Sequence, residues 1–555
     1  MPNNPRHLVA VLALALATAA SGQTAPGPQP GFFSEIVDVR VVNLEVVVTD
    51  AGGVPVRGLG ADSFQLLVDG QEVPIDYFSE ILGGRVVAPA EGTEAVPGLR
   101  GVEPGGDVGT SYLVFIDNFF SLPTDRNRVL RAMEKSLFLG PEDRMAIVSF
   151  DGRELEMLST WSQSEVELRR VIKKSLGDPA YGLQRLSERR QFDFDRVLEA
   201  SSAAFASRPG TFRNFLAPNE RFHVTRLSEQ VERSVAAAAA TLRSFAKPPG
   251  RKVVLLLSGG WPLLPADFLL NDITRFVIDR EILAGEPLFR PLVDSANLLG
   301  YTIYAVDVPG LGSGVPGAEI AAPPPNGAFG TTSLGGTGFL RETGLQATLR
   351  YLALQTGGRA LINADSLRAF ERAAEDTRSY YWLGFTPDRG WDDQRHDVEI
   401  KTRNPRLRLR ARQGYLDSSR RREVSMAVES ALLFGNPTGE ETLRVRFGEP
   451  KPAGVGKVEV PFEVLVPLDR LTFLPGGSGL QAATELRLAV VDDEGARSDI
   501  PIIPITFDAA TPPEAGDYGR YETKIKMRRR PHRVVVAIYD VASGRILSAG
   551  VDLEL

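Results

Sequence analysis

Two apolar runs that end at small polar residues dominate the sequence. The first, Tyr112 to Ile116, stops at Asp117, and a helical pattern begins after Pro123. The second lies within the strand pattern Lys252 to Leu257, where Val253 to Leu257 are apolar, and it stops at Ser258 and two glycines. Unbroken apolar runs of this length are typical of strands that are buried on both faces, as in parallel sheets covered by helices. We therefore expect both runs to be inner strands of one parallel sheet.

Strand and helix patterns alternate from residue 111 to residue 385. This alternation predicts an α/β fold with a doubly wound, mostly parallel sheet and helices on both of its faces. In such a sheet, ligands bind in the crevice outside the carboxyl ends of the strands. The side chains that follow these strand ends form the candidate binding crevice: Asp117, Ser121, Ser258 and Asp307.

Two less regular stretches interrupt this central pattern. Residues 178–222 are long and irregularly patterned, which predicts an insertion of helices and loops. Residues 309–340 are rich in Gly, Pro, Ala and Thr, which predicts a mobile loop. The central domain, including both stretches, is expected to cover residues 111–416.

The flanking segments are predicted to be rich in β-structure. Residues 33–85 read as a small antiparallel β unit, in which Asp69-Gly70 suits a tight hairpin turn, and residues 86–110 read as a linker. A helical linker is expected at 417–435. Short strand patterns separated by Gly, Pro and Asp over 436–555 predict a β-sandwich of immunoglobulin-like type.

Residues 1–22 have the features of a secretory signal peptide. Arg6 and His7 precede an apolar run from Leu8 to Ala17, which small residues follow. Residues 23–32 then read as a flexible tether. No later stretch reaches the roughly 18 apolar residues that a membrane span requires. We therefore expect a periplasmic or secreted protein with no transmembrane segment after signal cleavage.

The composition argues against several functional classes. A net charge of -7 over 555 residues argues against a general nucleic-acid-binding protein. The absence of cysteine excludes disulfides and cysteine-ligated zinc. The sequence contains no nucleophile elbow, zinc-protease, phosphate-loop or dinucleotide motif, and its four histidines are widely spaced. We therefore expect no enzymatic activity.

Taken together, these features resemble the von Willebrand factor A-related secreted proteins that are abundant in Acidobacteria. The resemblance covers residues 33–416 and rests on these segments: Asp69-Gly70, Val114 to Asp117, Pro249 to Gly260, Asn297 with Tyr304 to Asp307, Thr356 to Gly358, Tyr380 to Phe385, and Arg410 to Tyr415. It implies a von Willebrand factor A-like fold for the central domain. It also implies a metal-ion-dependent adhesion site, where Mg²⁺ held by oxygen ligands binds a carboxylate of a partner protein.

The sequence keeps only part of the ligand set that this resemblance implies. The family carries Asp-x-Ser-x-Ser at the strand end; Asp117 and Ser121 match its first and last ligands, whereas Phe119 replaces the middle Ser. Gly259 stands where the family has an Asp, and the insertion 178–222 contains no Gly-Gly-Thr to supply the remaining Thr. Because Mg²⁺ gives up its water reluctantly, we expect this degenerate site to bind Mg²⁺ weakly or not at all, and we expect no other cofactor.

Two interpretations of the crevice remain open. In one, Asp117 and Ser258 are only turn residues. In the other, Asp117, Ser121 and Asp307 hold a weak cation or a basic side chain of a partner. The favoured function is a secreted, non-enzymatic protein-binding or scaffold protein that recognises another protein or a cell-surface polymer. The alternatives are a magnesium-dependent adhesin with a relaxed metal site, and a hydrolase with its site in the insertion 178–222.

Overall fold

A computed structural model describes most of the chain from residue 41 onward. The described residues are 41–87, 105–204, 216–245, 250–270, 282–308, 334–387, 392–434, 443–476, 479–493, 498 and 500–555. The predicted signal peptide (1–22) and tether (23–32) lie outside these residues, as do residues 88–104 of the predicted linker. Residues 309–333 of the predicted mobile loop also lie outside them, and the end of that loop is helical.

The strands and helices are numbered in chain order. The strands are β1 (Val42–Thr49), β2 (Phe64–Val68), β3 (Gln71–Val73), β4 (Tyr77–Leu82), β5 (Arg85–Val86), β6 (Thr110–Asp117), β7 (Arg144–Phe150), β8 (Leu155–Ser162), β9 (Arg251–Ser258), β10 (Tyr301–Asp307), β11 (Arg359–Leu361), β12 (Ser379–Phe385), β13 (Arg395–Thr402), β14 (Arg408–Arg410), β15 (Gly414–Leu416), β16 (Arg444–Phe447), β17 (Lys451–Pro452), β18 (Lys457–Pro467), β19 (Leu474–Gly476), β20 (Gly479–Asp492), β21 (Ile502–Ala509), β22 (Tyr518–Arg528), β23 (His532–Asp540) and β24 (Ile546–Leu553). The α-helices are α1 (Pro123–Ser136), α2 (Glu165–Ser175), α3 (Gly182–Ala204), α4 (Pro218–Ser244), α5 (Pro265–Leu270), α6 (Glu286–Leu299), α7 (Leu334–Gln355), α8 (Ala369–Thr377) and α9 (Arg420–Phe434). Within the described part of the chain, no helix is both long enough and apolar enough to cross a membrane.

The central sheet is doubly wound and mostly parallel, which confirms the predicted fold class at this level. Its strand order is β11-β10-β9-β6-β7-β8, and the edge strand β8 is antiparallel to β7 while the other strands run parallel. Leu113 and Phe115 of β6 pack against α4 and α6 on one face. Val114 and Ile116 pack against α1 and α2 on the other. Burial on both faces explains why β6 is apolar along an unbroken run.

This strand order fixes where a crevice forms. Counted along the chain, the six strands lie in the order 3-2-1-4-5-6 from β8 to β11, so the order reverses between β6 and β9. Ligands of doubly wound sheets bind at this reversal, beyond the carboxyl ends of the strands. Asp117 and Ser258, the last residues of β6 and β9, therefore lie at the expected position.

The N-terminal strands form a two-sheet unit with strands from the middle of the chain. One sheet has the order β14-β1-β12-β4-β5 and the other β15-β13-β2-β3, and their inner faces share one apolar core. This unit differs from the predicted division, which placed residues 379–416 in the central domain. The physical reason is size: a few short strands at 42–86 cannot bury a stable core alone, and β12 and β13 complete it.

Buried charges join this unit to the start of β9 and β10. Arg251 is 1% exposed, and its Nε lies 3.5 Å from the Oε2 of Glu45 on β1. Its guanidinium lies over the Tyr380 ring of β12, 4.2 Å from the ring centre. The hydroxyl of Thr302 donates to the same Glu45 oxygen at 3.1 Å. The N-terminal unit is therefore attached at the end of the central sheet opposite to Asp117.

The C-terminal residues form two antiparallel sheets that pack face to face. One contains β16, β18, β17 and β22, and the other contains β19, β20, β21, β23 and β24. Val460 and Val464 of β18 share an apolar core with Leu486 of β20 and Val536 of β23. This arrangement agrees with a sandwich, and its immunoglobulin-like type stays a prediction.

Helix α9 connects this sandwich to the central part and packs against both. Val424, Val428 and Leu432 contact the outer face of β20 and β23. On its other side, Ser430 Oγ donates to the carbonyl of Ala240 in α4 at 2.8 Å. The predicted helical linker 417–435 is thus a helix held from two sides.

Candidate functional site

Asp117 organises the turn that follows β6. The residue is fully buried, and its Oδ1 accepts the backbone N–H groups of Phe119 and Phe120, both at 3.1 Å. An Asp side chain that bonds the backbone two and three residues ahead stabilises a turn. The Oδ1 of Asp117 therefore stabilises a turn, as expected if Asp117 is a turn residue.

The second oxygen of Asp117 joins the ends of β6 and β9. Its Oδ2 accepts the hydroxyl of Ser258 at 2.8 Å and the indole N–H of Trp261 at 2.7 Å. Trp261 is 1% exposed. The structure thus brings two of the predicted crevice residues, Asp117 and Ser258, into direct contact. Trp261 completes the group, although its role was not predicted.

Burial dominates the electrostatics of this carboxylate. It raises the pKa of Asp117 to about 6, against the opposing effect of hydrogen bonds from Ser258, Phe120, Trp261 and Phe119. Desolvation penalises the charged form, whereas donors directed at the oxygens favour it. The charge of Asp117 at neutral pH is therefore balanced by N–H and O–H dipoles.

The crevice residues do not fit Mg²⁺. A carboxylate offers about four lone-pair directions, and four protein donors are already directed at Asp117. Magnesium needs oxygen ligands at about 2.0–2.1 Å in near-octahedral geometry. An ion at Oδ2 would face the hydrogens of Ser258 and Trp261, which repel it.

An aromatic ring stands where the implied ligand set has its middle serine. Phe119 is 8% exposed, and the Arg185 guanidinium of α3 lies 4.4 Å from its ring centre. A Cβ at Gly152 would come within 2.2 Å of the same ring, so only glycine fits there. Phe119 therefore fills space beside Asp117 and supplies no oxygen.

The start of the predicted insertion covers the loop from Asp117 to Ser121. The Tyr181 N–H donates to the Asn118 carbonyl at 2.8 Å, and the Gly182 N–H donates to the Ser121 carbonyl at 3.0 Å. Ser121 is fully buried, and within the described residues its hydroxyl has no hydrogen-bond partner. The insertion thus closes over the position that the sequence suggested for a metal ligand.

Asp307, the fourth predicted crevice residue, ends β10. It lies directly opposite Ser258 in the parallel register and is 7% exposed. The same edge of the sheet therefore carries Asp117, Ser258 and Asp307. The donors described above for the Asp117 carboxylate come from Ser258, Trp261 and the backbone.

A buried arginine, also not predicted, holds the covering loops together. Arg126 of α1 is 1% exposed and donates to the Asn118 side chain at 2.7 Å and to the Asp178 carbonyl at 3.0 Å. An arginine on a helix usually reads as a solvent-facing residue. The position of Trp261 in the sequence was more informative than that of Arg126, because an indole N–H donor three residues after the strand end at Ser258 could be expected to reach the crevice.

Comparisons with known proteins give distant structural likenesses. No protein-family model matches the chain, and no curated protein matches it. A β-glucuronidase of Bacteroides uniformis is 9% identical with a TM-score of 0.15, over 32% of this chain and 19% of that one. A protein from Archaeoglobus fulgidus is 8% identical with a TM-score of 0.14, over 21% of this chain and 96% of that one. The SpRpn10 VWA domain is 9% identical with a TM-score of 0.11, over 34% of this chain and 94% of that one. Scores this low support no conclusion about fold or function.

Proposed function

We propose that this chain is a secreted, non-enzymatic protein-binding or scaffold protein, built on a von Willebrand factor A-like central domain whose metal position is filled by protein. The observation that carries the proposal is the Asp117 carboxylate with four protein donors. In the family that the sequence resembles, an ion at this strand end binds the partner's carboxylate. Here Ser258 and Trp261 donate hydrogens where that ion would be held.

The strand order supports the fold assignment within this proposal. A doubly wound sheet with β8 as its antiparallel edge agrees with the resemblance drawn from the sequence. The assignment to this family rests on these features and on the sequence motifs together.

Two of the histidines lie in environments that do not suggest catalysis by a histidine and a nucleophile. His223, which belongs to the helix after the insertion, contacts the rings of Phe192 and Phe222 at 5.1 and 5.4 Å between ring centres. His532 Nδ1 lies 2.7 Å from the Arg530 carbonyl. Neither geometry pairs a histidine with a nucleophile, as a hydrolase of the serine or cysteine type requires. The hydrolase alternative therefore gains no support from these two residues.

A polar cleft offers a surface for a partner without any metal. It has a volume of about 710 Å³, within the usual range for ligand sites. It lies where α6, α9, β13 and β15 meet, and its charged lining residues have both signs: Glu286, Arg290, Asp294, Asp393, Arg395, Asp397, Glu399 and Arg422. Arg395 lies in this cleft, with its Nη1 3.7 Å from the Oε1 of Glu286. A partner's carboxylate could pair with the same guanidinium.

Calorimetric titration of Mg²⁺ into the full chain tests the filled site. We expect no saturable binding in the wild type and no difference in the Asp117→Ala variant. Saturable binding that Asp117→Ala abolishes would instead support the magnesium-dependent adhesin.

Capture of partners from the organism's own envelope fraction tests the binding role. We expect a captured partner to be retained in EDTA and by Asp117→Ala, but to be lost with Arg395→Glu. The matched control is Arg408→Glu, which reverses the charge of an exposed arginine outside the cleft. Capture that needs Mg²⁺, or that both charge reversals reduce equally, would contradict the proposal.

A further inference from the structure

Four side chains from three distant segments meet near the start of β13. Asp69 lies in the turn between β2 and β3, Asp392 and His396 lie at β13, and Asp417 follows β15. One donor atom each from Asp392, His396 and Asp417 lie within 4.8 Å of one another. His396 and Asp417 are 6% and 2% exposed, whereas Asp392 reaches the solvent.

Strand pairing holds these residues in place. β13 pairs with β15 on one side and with β2 on the other. The Asp69 N–H donates to the Asp397 carbonyl at 2.9 Å, and the Asp417 N–H donates to the Gln394 carbonyl at 3.0 Å. The positions of the donor groups are therefore set by backbone hydrogen bonds, as a preformed site requires.

The imidazole of His396 lies between two carboxylates. Its Nδ1 is 2.8 Å from Asp69 Oδ2, and its Nε2 is 3.2 Å from Asp392 Oδ2. A neutral imidazole has a single N–H, and the shorter distance places it on Nδ1, where it is donated to Asp69. Nε2 then directs its lone pair toward carboxylate oxygen, so a positive charge is needed between them. A proton on Nε2 would form a hydrogen bond to Asp392 alone. A metal ion in the same place would be coordinated by Asp392, His396 and Asp417 together.

We propose that Asp392, His396 and Asp417 form a binding site for a divalent transition-metal ion of the zinc class, and that Asp69 orients the His396 ring. Zinc binds imidazole nitrogen and carboxylate oxygen at about 2.0–2.2 Å. A metal-binding histidine commonly donates its other N–H to a carboxylate, as His396 does to Asp69. Donors around such an ion lie roughly 3.4 Å apart, which small side-chain movements from the present positions achieve. The exposure of Asp392 leaves an entry path for the ion.

Calorimetric titration of ZnCl₂ into the full chain, first stripped with a chelator, tests this site. We expect one ion per chain and a rise in the unfolding temperature on addition of zinc. His396→Ala and Asp417→Asn should each weaken binding by about 100-fold or more, and Asp69→Asn by about 10- to 100-fold. Asp62→Asn is the matched control, because it makes the same change at an exposed aspartate outside both the cleft and the cluster, and it should leave the affinity unchanged.

Absence of zinc uptake by the wild type would overturn the proposal, as would uptake that Asp417→Asn leaves unchanged. Circular dichroism of each variant separates loss of the site from loss of the fold. If His396→Ala does not fold, Asp417→Asn decides the outcome. An NMR spectrum in which both ring nitrogens of His396 stay protonated at saturating zinc would show that a proton holds the cluster, and would also overturn the proposal.

Discussion

At the residue scale, one buried carboxylate links the two central strand ends. Asp117 holds its own turn with Oδ1 and the loop after β9 with Oδ2. Hydrogen bonds to a charged group are stronger than those between neutral groups. The same residue carries a desolvation cost, because burial raises its pKa to about 6. Its net contribution to stability therefore depends on pH.

We predict that the Asp117→Asn variant gains stability relative to the wild type as the pH rises. The pKa of Asp117 is raised from 3.8 to about 6 in the folded protein, so the stability that the carboxyl group contributes is fully present below pH 3.8 and is lost as the pH passes 6. The asparagine does not titrate. The difference in free energy of unfolding should shift by roughly 3 kcal/mol in favour of the variant between pH 3.5 and 7.

Urea unfolding of both proteins across this pH range measures the shift. Circular dichroism at each pH ensures that the same transition is compared. Curves that run parallel for the two proteins would show that Asp117 does not titrate in this window.

At the element scale, the sequence predicted where strands lie along the chain more reliably than which strands pair with each other. β6 and β9 follow directly from unbroken apolar runs, because only a strand covered on both faces needs them. Which sheet β12 joins could not be predicted, because its partners β1 and β4 lie about three hundred residues away in the chain. Pairing over such distances leaves no local pattern.

The candidate site was predictable to the same limited extent. Asp117 and Ser258 follow from the rule that parallel strands end at a common edge. The cover formed by Tyr181 and Gly182, and the burial of Arg126, could not be predicted, because they depend on how a loop folds back over the sheet. The only hint in the sequence that protein groups occupy the metal position was the replacement of the middle serine by Phe119.

Helix α9 gives a test at this scale. Val428→Asp places a charge in the apolar contact between α9 and β23, and burying an unpaired charge is strongly destabilising. We predict a loss of about 3 kcal/mol or more, seen as a lower unfolding temperature, together with faster proteolysis between the central part and the sandwich.

The matched control is Ala427→Asp, which introduces the same residue at the exposed neighbouring position of the helix. It should change stability by less than about 0.5 kcal/mol. Equal effects of the two substitutions would mean that the helix does not depend on its contact with the sandwich.

At the scale of the whole molecule, buried charges attach the N-terminal unit to the central sheet. Arg251, Thr302 and Glu45 meet at this junction. Burial lowers the pKa of Lys252 and of Arg412, and the nearby carboxylate of Glu45 opposes that shift. One acidic side chain thus offsets several buried cations. The junction should be much more sensitive to Glu45 than to any exposed acid.

We predict that Glu45→Gln destabilises the chain by about 3–5 kcal/mol, because it leaves Arg251 charged and buried without its carboxylate. Glu399→Gln, at an exposed position of β13, is the control and should have little effect. In the double variant Glu45→Gln/Arg251→Met, part of the loss should be recovered, since removing both charges avoids an unpaired ion. Urea unfolding of the three variants measures this, and an unrecovered double variant would contradict the electrostatic explanation.

The double-sided packing of α9 has a consequence for avidity. Because Ser430 and its neighbours fix the helix to α4 while Val428 fixes it to β23, the sandwich cannot swing freely about a hinge. The sandwich and the polar cleft where α6 and α9 meet therefore stay at a constant separation. A partner that engages both gains a high effective concentration for the second contact only when its own two epitopes have the matching spacing, so the chain would select ligands by geometry as well as by chemistry.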